Sequence, residues 1–317
     1  MKKTFVFVTS LIFLLTQPVF SQSVGTTSFE FLKSQYSARG AAMAGNLVAV
    51  SGDINAMFYN PAALSPIDRK EWVVSYVDHL LDFQGGHLAY LTPFRSLGNL
   101  GLGLVYFNYG DFDETNEFGE QTGRKFSASE FAFAMSLSNV LGDNFDYGVN
   151  IKFIYSSLDT YNSSGLAVDA GIIYTVPKIQ NLVIGFSVSN LGFTLSKYTQ
   201  ADQTFPLLMR FGIAKRLAHL PLLIMGSLND LTLDTGDTWD IFRRFAIGGE
   251  FDVSEVIRLR LGYDNDINKN VKPVGGRGFG GLSAGLGINW NKFRLDYAYS
   301  AFGDVGSQNR ITISGHF

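Results

Sequence analysis

The sequence predicts an all-β fold: a transmembrane antiparallel β-barrel of about fourteen strands, preceded by a small N-terminal hatch or plug containing short helices. Three observations carry that reading. From residue 70 onward, apolar and polar residues alternate with period two in segment after segment. The composition is apolar and glycine-rich: 46% hydrophobic, 28 Phe and 34 Gly, with 17% charged residues against roughly 25% in an average soluble domain. Beyond the first twenty-odd residues, no apolar run reaches the roughly 20 residues a spanning helix needs.

Residues 1–21 read as a secretory signal peptide. Lys2 and Lys3 form a positive start, Phe5 to Leu15 is a short apolar run, and Gln17-Pro18 breaks it. Val19-Phe20-Ser21 then offers residues a signal peptidase reads, so cleavage is expected after Ser21, with Gln22 as the mature N-terminus. No Cys follows, which excludes a lipoprotein; the chain has none at all, so neither a disulfide framework nor a thiolate metal site is available. A net charge of −3 argues against a nucleic-acid partner. The mature chain then divides into a hatch at 22–69 and a barrel at 70–317.

The alternation is clearest in Phe293-Arg294-Leu295-Asp296-Tyr297-Ala298-Tyr299-Ser300, in Ile257 to Asp264, and in Asp146 to Phe153. Each has one apolar face and one polar face, and none shows the three- and four-residue spacing of a helix. The fourteen segments fall near 70–78, 84–92, 99–109, 125–138, 145–157, 164–176, 181–190, 204–215, 221–229, 242–252, 255–264, 278–289, 291–300 and 307–317. Their connections alternate in length. Long ones at 110–124, 191–203, 230–241 and 265–277 interleave with short ones such as 139–144, 177–180 and 253–254, as outer-membrane barrels require. An even strand count places both mature termini on the periplasmic side, with Phe317 closing the last strand. Outward faces of Phe, Leu, Ile, Val and Tyr suit lipid, where every backbone group must be paired and the sheet must close. Trp72, Tyr155, Tyr174, Tyr263 and Trp290 lie near strand ends, at the level of aromatic girdles.

The inferred inward face carries Glu130, Asp146, Lys152, Asp169, Arg210, Arg244, Glu250, Arg258, Arg260, Arg294, Asp296 and Arg310. Isolated charges in a narrow lumen are costly, so these are expected to pair with one another and with a plug rather than to line a selective channel. Ala132, Ala134, Gly148, Gly171, Gly185, Gly212, Gly248 and Gly285 on the same face leave room for something bulky. That occupant is the stretch 24–68, which lacks alternation yet is too apolar for a free tail. Within it Asn60-Pro61 favours a turn that starts a short helix.

The stretch Ser37-Ala38-Arg39-Gly40-Ala41-Ala42-Met43-Ala44-Gly45, followed by Asp53 and by Phe58-Tyr59-Asn60-Pro61-Ala62-Ala63-Leu64, resembles the N-terminal signature of the PorV/PorQ family. Thr27-Ser28-Phe29-Glu30-Phe31-Leu32 resembles the family's opening, and Val188-Ser189-Asn190-Leu191-Gly192 is similar to a mid-barrel element found there. That family belongs to the FadL-like group of fourteen-stranded barrels. The resemblance makes Arg39, Gly45, Asp53, Asn60, Pro61 and Ala62 the hatch motif. It implies a non-enzymatic part of the type IX secretion system that engages secreted cargo or attachment partners at the cell surface. The FadL branch implies the alternative, a passive transporter of hydrophobic small molecules.

No catalytic, cofactor-binding or metal-binding set stands out. His79, His87, His219 and His316 are scattered, with His79 and His316 at opposite ends of the predicted barrel. Gly275-Gly276-Arg277-Gly278 precedes a strand, not a helix, so it is not a phosphate loop. The acidic runs Asp111 to Glu120 and Asp230 to Asp240 lack EF-hand spacing and read as solvated outer loops. Expected partners are outer-membrane lipid and lipopolysaccharide, type IX secretion proteins, and under the alternative a hydrophobic ligand.

Overall fold

The computed structural model describes residues 27–80, 83–94, 97–198, 204–233, 238–271 and 280–317. The expected signal peptide, residues 22–26 of the hatch and Gly275 to Gly278 lie outside the described residues. The period-two segments form fourteen strands: β1 (Glu71–Asp78), β2 (Gln84–Phe94), β3 (Gly98–Thr115), β4 (Gln121–Leu141), β5 (Phe145–Leu158), β6 (Tyr161–Thr175) and β7 (Leu182–Ser196). They continue with β8 (Leu208–Arg216), β9 (Leu222–Leu228), β10 (Phe245–Asp252), β11 (Ile257–Asp264), β12 (Gly280–Trp290), β13 (Phe293–Phe302) and β14 (Ser307–His316). Each strand pairs antiparallel with its neighbours in sequence, and β1 closes on β14 from Glu71↔His316 to Asp78↔Asn309. Closure leaves no sheet edge in the lipid.

Burial follows the alternation. In β5, Tyr147, Val149, Ile151 and Phe153 face outward, while Gly148, Asn150, Lys152 and Ile154 are buried. The outward belt is apolar on strand after strand, including Leu102, Phe133, Ile172, Leu261, Leu286 and Tyr297. Two turns bound by single-residue left-handed positions, at Asp159 and at Asn291, join β5 to β6 and β12 to β13.

Several boundaries differ from the sequence reading. The expected loop 110–124 is mostly strand: β3 and β4 run on as a hairpin, paired as far as Thr115↔Gln121. The expected loop 191–203 begins with six more residues of β7. The segment expected to open a strand at 204 first runs irregularly and reaches β8 at Leu208. Solvent-facing polar pairs such as Asp113 with Lys125 and Glu114 with Arg124 hold the hairpin together, and polarity there did not signal a loop.

Residues 27–70 thread the lumen. They carry a 3-10 turn at Glu30–Lys33, the helix α1 (Ala38–Ala42), and 3-10 turns at Ile54–Ala56 and Pro61–Leu64. The segment enters beside the β7–β8 connection, where the Ser28 N–H donates to the Thr204 carbonyl at 3.0 Å. It leaves at the opposite end, where the Phe317 N–H donates to the Lys70 carbonyl at 3.1 Å. Thr27 and Phe317 therefore belong to opposite halves of the barrel, and the mature N-terminus expected at Gln22 lies outside the described residues.

A cation placed mid-belt tests the lipid-facing assignment. Ile151→Arg should cost about 2–4 kcal/mol of folding stability in bilayers, and Trp290→Arg at the rim about 0–1 kcal/mol. Guanidinium unfolding in liposomes measures both; equal costs would contradict the assignment.

Candidate functional site: the hatch and its seat

Local chemistry shapes the hatch before the barrel holds it. Ser37 caps α1 by accepting from the Gly40 N–H at 3.1 Å, and Asp53 caps Ile54–Ala56 by accepting from the Asn55 N–H at 3.0 Å. Asn60 caps the last turn through the Ala62 N–H at 3.1 Å, with Pro61 at its first position as expected. After α1, Gly45 takes φ 78°, a left-handed turn that sends the chain back across the lumen.

The wall approaches this backbone very closely. A methyl group at Gly248 would sit 2.7 Å from the Met43 carbonyl, one at Gly262 2.5 Å from the Ala44 nitrogen, and one at Gly148 2.7 Å from the Ala62 nitrogen. Gly171 abuts the Asn60 side chain, Gly185 the Val48 carbonyl, Gly212 the Val48 side chain and Gly285 the Ala42 methyl. These seven strands thus present glycine where the hatch passes, and any larger residue there would displace it.

Asn60 uses both ends of its amide. Its Oδ1 holds the turn, while its Nδ2 donates to the Val48 carbonyl at 2.7 Å and to the Ile172 carbonyl of β6 at 3.1 Å. Two further asparagines, missed by sequence reasoning, do similar work from the wall. Asn99 Nδ2 donates to the carbonyls of Leu64 at 2.6 Å and Ile67 at 2.7 Å, and Asn150 Nδ2 donates to Met57 at 3.0 Å. Thr312 accepts from the Ala38 N–H at 2.8 Å. Their signal was present: neutral hydrogen-bonding residues at inward positions of otherwise apolar strands.

Six of the predicted residues form one closed ring of charge. Arg39 pairs with Asp53 inside the hatch and grips Glu250 of β10 with two nitrogens, at 2.7 and 2.9 Å. Glu250 meets Arg260 of β11 at 2.6 Å, and Arg260 meets Asp296 of β13 at 2.7 Å. Asp296 meets Arg294 at 2.8 Å, and Arg294 returns to Asp53 at 3.5 Å. Three guanidinium groups and three carboxylates sum to zero charge, and Arg260, Glu250 and Asp296 are no more than 1% exposed. Arg39 and Arg294 neutralise the buried Asp53 carboxylate, which also accepts from the Asn55 N–H and side-chain amide.

The remaining lumen residues fall into separate groups. Lys152 meets Asp169 at 2.7 Å, and Asp169 also accepts from Asn150 at 2.9 Å and from the Asn190 N–H at 2.8 Å. Glu130 accepts from Tyr109 at 2.5 Å and Ser156 at 2.8 Å, Arg210 lies 5.6 Å from the Tyr59 ring, and Arg310 donates to the Gln35 carbonyl at 2.8 Å. Arg258 points into the short-turn mouth and pairs with Asp252 at 3.1 Å. Arg244 departs from expectation. It precedes β10 rather than lying on its inward face, and donates to carbonyls of the β9–β10 connection, reaching Leu233 at 2.9 Å.

The element at Val188 to Gly192 is a break in the wall. The β6–β7 register shifts between Val168 and Ala170, and Asn190 sits at φ 64°. The β7–β8 pairing ends at Ser189↔Leu208, because Phe205 and Pro206 turn into the lumen, where Pro206 accepts from the Asn190 amide at 3.0 Å. Phe205 packs there on Phe29 of the hatch, with ring centres 5.1 Å apart.

The sequence profile of the type IX secretion system protein PorV matches residues 17–214, well over half of the chain. The chain belongs to the PorV family. The matched stretch holds the whole described hatch and the strands that carry Asn99, Asn150, Asp169 and Asn190. Among solved structures this PorV-family chain is similar to the toluene transporter TodX of Pseudomonas putida. The two share 12% identity and a TM-score of 0.60, over 92% of this chain and 99% of that one. It is also similar to a FadL homologue of Pseudomonas aeruginosa, at 12% identity and TM-score 0.54, over 90% of this chain and 98% of that one. At such identity the likeness speaks for the fold alone; the closed barrel and the PorV family together imply the outer membrane. No curated protein matches the chain.

Removing one member of the ring leaves a buried, uncompensated charge on the partners that remain. Arg39→Ala should loosen the hatch by about 3–5 kcal/mol. Limited trypsin digestion of the folded protein reads this as faster cleavage within 27–68 while the barrel band persists on unheated gels; unchanged protection would contradict the anchoring role.

Proposed function

We propose that this chain is a non-enzymatic outer-membrane component of the type IX secretion system that engages secreted cargo or attachment partners at the cell surface. The observation that carries the reading is the seated hatch in a PorV-family barrel. Glycines of seven strands meet it, four of them at its backbone, and a neutral charge ring fixes it to β10, β11 and β13. Charges satisfied by one another are spent on position, and a filled lumen favours work done at the rim.

In this reading the short-turn end, with the start of β1 and Phe317, faces the periplasm, and the signal peptide is removed on export. The β3–β4 hairpin and the described connecting residues 229–233, 238–244 and 265–271 face the exterior. They offer Phe118, Trp239 and Phe242, all largely exposed, to a protein partner. Outer-membrane lipid and lipopolysaccharide surround the apolar belt.

The interruption of β7–β8 pairing beyond Ser189 favours a second reading, FadL-like passage of a hydrophobic small molecule from the lumen into the membrane. The two readings part cleanly in the cell. Deleting the gene should strand proteins bearing the type IX C-terminal signal domain in the periplasm, as immunoblots of cell fractions would show. Normal secretion with impaired uptake of hydrophobic compounds would overturn the first reading in favour of the second.

A further inference from the structure

A cavity of about 310 Å³ opens at the short-turn mouth, apart from the hatch seat but touching its edge. Hatch residues Asp53 and Ile54 floor it, and Arg69, Arg258, Lys292 and Arg294 converge on it from four places: the lead into β1, β11, the β12–β13 turn and β13. We propose that this cavity is a phosphate-binding site, with Arg258 and Lys292 as its principal ligands.

The charge balance points there. Four permanent cations face two carboxylates, Asp53 and Glu71, and both are engaged, Asp53 by Arg39 and Glu71 by Arg69 at 3.0 Å. Lys292 has no carboxylate within ion-pair distance among the described residues. The Nε atoms of Arg258 and Arg294 are buried without hydrogen-bond geometry to an acceptor, although carboxylates lie at 3.1 and 2.8 Å. Arg294 and Asp53 belong to the neutral ring, and outside it Arg69, Arg258 and Lys292 face Glu71, with the Asp252 beside Arg258 shared with Arg216, so a positive excess remains. Guanidinium groups approaching from different strands suit a tetrahedral, doubly charged oxyanion that accepts on several sides. Asn289 and Ser314 add neutral polar groups to the lining.

Position narrows the source of the phosphate to two. On the lipid side of the same strands, Trp72 and Phe293 pack against Gly315 with ring centres 6.1 Å apart, an aromatic girdle at headgroup height. The phosphate is therefore carried either by a phospholipid headgroup or by a soluble molecule. Because Arg294 both lines the cavity and serves Asp53, an occupant draws on one member of the hatch ring.

Calorimetric titration of the purified barrel in detergent with inorganic pyrophosphate tests the site. One equivalent should bind, and Arg258→Gln combined with Lys292→Gln should weaken binding at least tenfold while heat-modifiable gel migration stays native. A second arm adds phosphatidylglycerol and reads retention by native mass spectrometry. A lipid kept by the unaltered protein and lost by the double variant assigns the headgroup; pyrophosphate binding without lipid retention assigns a soluble phosphate. Binding of neither, or equal binding by the double variant, would overturn the proposal.

Discussion

The structure depends on the contact between Arg39 and Glu250, the point where a segment with almost no regular structure becomes part of a barrel. Through it the hatch pair Arg39–Asp53 joins Arg260, Asp296 and Arg294 in a ring that closes on itself. Every charge in the ring is costly alone in a dry lumen; Glu250, Arg260, Asp296 and Arg294 pair within the wall, and the seated hatch adds Arg39 to Glu250 and Asp53 to Arg294. The interaction thus specifies a position more than it adds stability. It is satisfied in one register of the hatch against the wall and broken in neighbouring ones.

Once the ring fixes the register, the remaining contacts follow from shape. The glycines of β5 to β8 and β10 to β12 open a seat one side chain deep, and the hatch backbone lies in it. Irregular backbone at membrane depth is tolerable only if its polar groups are met by protein. Asn60, Asn99, Asn150 and Thr312 meet several of them. The same arithmetic explains why the motif is Asn-Pro. The amide must accept within its own turn and donate to the wall, and proline supplies the first turn without a donor that would need a partner.

Much of this was legible in the sequence. Period-two alternation marked fourteen strands and, Arg244 apart, the inward charges, since a strand exposes its faces one residue at a time. The Arg39 to Ala62 motif marked the hatch because its small residues and caps are local features. Harder to read was anything set by the meeting of distant strands. That Arg260 finds both Glu250 and Asp296 follows from registers across β10 to β13, which no single segment encodes. The turned-in Phe205 and the left-handed Asn190 were hidden for the same reason, and Gly262 went unnoticed as the seventh member of the seat. Polar residues in 110–124 read as a loop because a hairpin standing clear of the membrane needs no apolar face.

A filled, electrically balanced lumen is the property on which the functional account rests, and ion flow measures it directly. Single-channel recording in planar bilayers should find the intact protein essentially closed, and a barrel lacking residues 27–68 should conduct. Equal, open-pore conductance from both would show that the hatch does not seal the barrel and would contradict the account.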